Sequence, residues 1–170
     1  MSHGVVCSTP SEAWNRKLPP IGFSVDWSGT AMTISKFPES EYYLRMAIDP
    51  RGILEFVIKA YRNRIHDHNT LEALIRDFCQ DSATSFDMGK VTSTELGGVV
   101  RISREFLTGR GLSRKKWLAA QVPSPDGGPY GLLVVFGVYV GPHNNARRVR
   151  IMEHPVLKGL MMSFQLANSR

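Results

Sequence analysis

The chain has 170 residues, 42% of them apolar and 21% charged, with a net charge of +6. That length is enough to bury a core, and no apolar run approaches the ~20 residues of a membrane-spanning helix. Two cysteines, Cys7 and Cys79, stand far apart and outside any CxxC pair, which argues against a disulfide framework or a structural zinc site and suits a reducing, cytoplasmic compartment.

Residues 1–20 are polar, end in LPP and carry no basic-then-apolar leader pattern. They read as an extended lead-in to a single domain over 21–170. The segment IGFSVDWSG predicts a first strand with Phe23, Val25 and Trp27 on one side. AMTISKF is expected to pair with it across Gly29, and YYLRMAI forms a further strand.

DPRGILEFVIKAYRNRI reads as a helix. Asp49 would cap it, Pro50 fits its first turn, and Ile53, Leu54, Val57, Ile58 and Tyr61 fall at helical spacing. After HDHN, Asn69 and Glu72 have capping-box spacing and open a second helix with Leu71, Leu74, Ile75 and Phe78 on one side. Cys79 would be a core residue near its end.

KVTSTELGG turns at Gly-Gly into VVRISREFL, where Val100, Ile102 and Phe106 alternate with Arg101, Ser103 and Glu105. TGRGLSRK forms a basic hairpin tip. KWLAAQV returns, and GLLVVFGVYV is the central strand. A half-buried strand alternates apolar with polar residues, but this one is apolar on both faces, so both must be covered. From His154, with Pro155 at the first turn, the residues Val156, Leu157, Leu160, Met161 and Phe164 predict a last helix that closes the core, with Ser163 of little consequence. Strands, two helices, further strands and a last helix make an α+β domain: a twisted antiparallel sheet with helices packed on one face.

Few residues carry recognisable chemistry. His66 and His68 could share a metal only if His143 or His154 came close, and a polar loop is the simpler reading. Asp77 and Asp81 flank Cys79 and disfavour a thiolate. TGRGLSRKK lacks P-loop spacing, and no GxSxG, HExxH or EF-hand pattern is present. Neither an enzyme nor a cofactor is expected.

Charge is uneven. Up to Leu96 there are 10 Lys+Arg against 12 Asp+Glu, and from Gly97 onward 11 against 3. Arg110, Arg114, Lys115 and Lys116 at the hairpin tip are therefore the candidate contacts for an anionic partner, nucleic acid included. Replacing Arg114, Lys115 and Lys116 by Ser should barely alter the fold if they are exposed.

GFSVDW followed by YYLRMAI, the helix LEALIRDF, the hairpin ELGGVVRISREF leading to KWLAAQV, and the closing LKGLMMSFQL together resemble the PsbP/Mog1/DcrB-like superfamily over about residues 20–166. One branch is similar to Eag-type chaperones of type VI secretion effectors. The resemblance implies a non-enzymatic binding or assembly role, with a protein client or a second copy of the chain as partner. On that reading the uncovered sheet face, with Trp117, Leu133, Val135 and Tyr139, shields an apolar surface of a client within a homodimer.

Overall fold

The computed structural model describes residues 5–8, 23–26, 33–36, 43–47, 54–62, 68–80, 86–109, 114–125, 127, 130–140 and 149–166. In chain order the elements are β1 (Val5–Ser8), β2 (Phe23–Asp26), β3 (Thr33–Lys36), β4 (Tyr43–Ala47), β5 (Leu54–Arg62), α1 (His68–Gln80), β6 (Phe86–Leu96), β7 (Val99–Thr108), β8 (Lys115–Pro123), β9 (Tyr130–Tyr139), α2 (Pro155–Ser163) and β10 (Gln165–Leu166). Seven strands form one antiparallel sheet in the order β3-β4-β5-β9-β8-β7-β6, and β1-β2-β10 form a small second sheet. This is the expected α+β class with a twisted antiparallel sheet. Part of the N-terminal lead-in is itself a strand, β1. Among the described residues no helix is long and apolar enough to cross a membrane.

Strand β9 is central, between β5 and β8. Its neighbour β5 corrects the first predicted helix. Leu54 to Arg62 pair residue by residue with Val138 to Tyr130. Leu54, Phe56 and Ile58 enter one core cluster, while Val57 and Tyr61 enter the other. A strand buried on both faces has no single period, so its apolar residues also satisfy a helical stripe; the β-branched and aromatic content of EFVIKAY favours the strand. The caps assigned to Asp49 and Pro50 lie outside the described residues. AMTISKF contributes β3, but β3 pairs with β4 in the large sheet, whereas β2 pairs with β1 and β10 in the small one.

The two helices lie on opposite faces of the sheet, which corrects their placement together on one face. Leu71, Ile75 and Cys79 of α1 pack with Val57, Leu133, Val135 and Trp117. Leu157, Leu160 and Met161 of α2 pack with Phe56, Leu118, Val134 and Phe136, joined by Phe23 and Val25 of the small sheet. The two-sided β9 needs this arrangement, because each of its faces requires its own cover.

The Gly-Gly turn between β6 and β7 has positive φ at both residues, 56° at Gly97 and 84° at Gly98. Gly97 N–H donates to the Met161 carbonyl at 2.8 Å, tying the hairpin to the end of α2. A Cβ on Gly97 would lie 1.7 Å from the Phe164 carbonyl oxygen, so only glycine fits. Ser163 also matters more than expected. Its Oγ accepts from Asp26 N–H at 2.9 Å and can donate to the Leu160 carbonyl at 3.1 Å, which joins α2 to β2. Ser163→Ala should cost about 0.5–1.5 kcal/mol in a urea titration, the usual range for such a bond.

Candidate interaction surface

Helix α1 covers the sheet face assigned to a partner. Leu133 and Val135 are fully buried beneath it, and Trp117 is nearly so. These residues are core, which corrects their expected role as an open contact face. Two ion pairs hold α1 across the sheet: Asp77 Oδ2 lies 3.0 Å from Lys59 Nζ on β5, and Glu72 Oε2 lies 3.4 Å from Arg104 Nη1 on β7. The Glu72 carboxylate also accepts from Arg76, which holds it below the ordinary carboxylate range.

Two glycines of β9 make room on this face for large rings from adjacent strands. A Cβ on Gly137 would sit 2.4 Å from the Trp117 ring, and one on Gly131 would sit 2.4 Å from the Tyr61 hydroxyl. Trp117 Nε1 donates to Thr108 Oγ1 at 2.8 Å, and the ring stacks on Phe106 while meeting Phe78 edge-on. Its polar handle is thus satisfied inside the core. Tyr139 is half-buried, opposite Lys115 in the sheet register.

The basic tip is more structural than the sequence implies. Lys115 Nζ lies 3.1 Å from Glu55 Oε2 and 5.6 Å from the Trp117 ring centre. Lys116 Nζ lies 3.3 Å from Glu105 Oε2 and donates to the Val149 carbonyl at 2.7 Å. Both lysines therefore knit strands and loop together, which corrects the expectation of a freely replaceable patch. Arg114 is half-buried, and its carbonyl accepts from Val140 N–H. Arg110 lies outside the described residues. Glu55, missed in the sequence, is the one carboxylate within the run LEFVI, and that isolation among apolar neighbours was its available signal.

Among the described residues the exposed large apolar side chains lie elsewhere. Val100 is 68% exposed, Met162 67%, Val99 47% and Met152 44%. Val99 and Val100 begin β7, Met152 precedes α2, and Met162 lies at the C-terminal end of α2. Gly97, just before Val99, bonds to Met161, just before Met162. Thr94 Oγ1 contacts Met152 Sδ at 3.9 Å, within a hydroxyl cluster that includes a 2.7 Å bond to Ser103 Oγ. Beside them runs β6, the last strand of the sheet. The end nearer Phe86 carries a bulge between Met88 and Val91, where Arg104 Nε donates to the Gly89 carbonyl at 2.6 Å. Bulges blunt an edge against pairing. From Val91 to Leu96 the edge is regular. The alternation expected for Val100, Ile102 and Phe106 holds at Phe106, but Val100 is exposed and Ser103 is fully buried.

Among the described residues no group of three or more His, Cys, Asp or Glu side chains could hold a metal. His68 begins α1 and His154 caps α2, while His66 and His143 lie outside the described residues. Cys79 is a buried thiol whose burial pushes its pKa up to about 11. Burial also raises the Tyr61 phenol to about 12, against a hydrogen bond from Gln121 and the charge of Arg101. Both groups hold their protons more tightly in the folded state. Their contribution is intact below pH 9.0, the ordinary thiol value, and is lost as pH rises through about 11 for Cys79 and about 12 for Tyr61. Melting temperature should therefore fall steadily on titration above pH 9.0, and Cys79→Ala should flatten the first part of that fall.

The fold and this surface define an α+β domain with both sheet faces covered and one apolar-flanked edge. No family model matches the sequence. No curated protein matches it. Among solved structures it is similar to a crystal structure from Bacteroides thetaiotaomicron VPI-5482, with a TM-score of 0.53 at 11% identity over 98% of this chain and 50% of that one. The chain thus spans half the length of that structure, and the likeness is one of fold.

Proposed function

We propose that the chain is a non-enzymatic binding or assembly domain that meets a second copy of itself along the β6 edge. The observation that carries this reading is the regular, unbulged stretch of the β6 edge from Val91 to Leu96, with Val99 and Val100 exposed at the start of the neighbouring strand. Unpaired backbone groups offer directional hydrogen bonds, and the flanking apolar side chains supply area to bury. The resemblance to the PsbP/Mog1/DcrB-like superfamily supports a binding role. A chaperone for a secretion effector, working in the cytoplasm, is the narrower form of the same reading, with the contact surface moved from the covered sheet face to this edge. An anionic or nucleic-acid partner at the basic tip has less support, because Lys115 and Lys116 are engaged within the fold.

Sedimentation velocity over a concentration series tests the proposal. A dimer is expected at micromolar concentration. The double variant Val100→Lys/Met162→Lys should be monomeric with a nearly unchanged melting temperature, since exposed substitutions cost roughly 0.5 kcal/mol or less. A wild-type chain that stays monomeric throughout, or a double variant that still dimerises, would sink the reading.

A further inference from the structure

The sheet forks. Pairing between β7 and β8 runs from Thr108↔Lys115 to Ser103↔Ala120 and stops there. Val99 to Ile102 continue β7 with partners on β6 alone, and Gln121 to Pro123 continue β8 with partners on β9 alone. Arg101 stands on the β7 wall of this fork, opposite Thr94 of β6. The buried Gln121 begins the free part of the β8 wall, and the Tyr61 hydroxyl reaches over Gly131 to bond with it.

Arg101 differs from the other arginines of known environment. Arg76, Arg104 and Arg150 each hold a carboxylate. Arg101 makes no ion pair among the described residues, and its Nε is shut away from solvent without a hydrogen-bond partner. Burial pulls this guanidinium below its ordinary pKa, and the nearby Tyr61 phenol opposes that shift. An arginine stays charged at neutral pH whatever its surroundings, so this half-buried cation keeps one N–H donor, at Nε, out of water and without a partner. A buried donor left unmade is costly, and native structures seldom keep one without a reason.

We propose that the fork between β7 and β8 is an anion site in which the Arg101 guanidinium takes a carboxylate. The planar N–H donors of a guanidinium match the two oxygens of a carboxylate in parallel hydrogen bonds. Thr94, opposite Arg101, and the nearby Tyr61 phenol are neutral polar groups, which suits one negative charge better than the two of phosphate. This site rests on Arg101 alone and stands whether or not the β6 edge forms a dimer.

The test follows the Arg101 Nε–Hε resonance of the full chain by nitrogen-15 NMR. Acetate, inorganic phosphate, and N-acetyl-trialanine with a free or an amidated C-terminus are titrated against sodium chloride at equal ionic strength. A saturable shift with acetate and the free-acid peptide is expected, with phosphate weaker and chloride without effect. Equal affinity for acetate and peptide assigns the site to small carboxylates; tighter binding of the free-acid peptide assigns it to a chain terminus. Arg101→Lys keeps the charge but loses the fork of donors, and should weaken acetate binding by about tenfold or more, the loss of one charge-assisted hydrogen bond. That titration is read from the backbone resonances of Ile102 and Gln121, which the wild-type titration calibrates. No saturable shift in the wild-type chain, an equal response to chloride, or undiminished binding by Arg101→Lys would overturn the proposal.

Discussion

Phe164→Ala is expected to lower unfolding free energy by about 3–5 kcal/mol, the range for truncating a buried aromatic ring. Phe164 caps the C-terminal end of α2 with its backbone and buries its ring in the cluster beneath that helix. The ring stacks on Phe23 of β2 at 6.1 Å between centres, so the substitution also loosens the small sheet where it meets the large one. Its carbonyl sits against Gly97, coupling the same point to the β6–β7 turn. Domains of this size have roughly 5–15 kcal/mol of stability in total, so the variant should melt much earlier and yield poorly. Chemical denaturation of wild type and Phe164→Leu, which keeps most of the volume, checks the assignment. An unchanged midpoint for Phe164→Ala would mean that the ring closes no core.

Lys115→Met should be nearly as damaging, for an electrostatic reason. Glu55 has 2% of its side chain exposed and Lys115 25%. Removing one partner of a buried pair costs about 3–5 kcal/mol; with Lys115 partly hydrated, about 2–4 kcal/mol is expected here. Glu55→Gln should relieve much of that loss, because a neutral amide at this position no longer needs a cation. A double-mutant cycle measured by urea unfolding gives the coupling directly. A Lys115→Met variant as stable as wild type would show that the ion pair is incidental, and the basic tip would again be free for an anionic partner.

Much of this fold was legible in the chain. The apolar run from Gly131 demanded cover on both faces, and it is the central strand. Gly97-Gly98 marked a hairpin because positive φ at adjacent residues favours glycine. LEALIRDF showed one apolar side, and it is α1. The closing helix and the burial of Leu160, Met161 and Phe164 followed from spacing alone. These features are local: periodicity, turn chemistry and caps act within a few residues, so the sequence carries them openly.

What only the tertiary structure decided is relational. Leu54 to Arg62 became a strand because β9 needed a neighbour, and residues apolar on every side look alike at either period. Each helix went to its own face, which turned Trp117, Leu133 and Val135 from a supposed contact surface into core. Lys115 found Glu55 across β9, 60 residues away in the chain, and exposed Val99 and Val100 were left beside an edge that no local pattern marks. Burial, ion pairing and edge position depend on which strands become neighbours. That choice minimises exposed apolar area and unpaired charge over the whole sheet at once, so no short stretch of residues contains it.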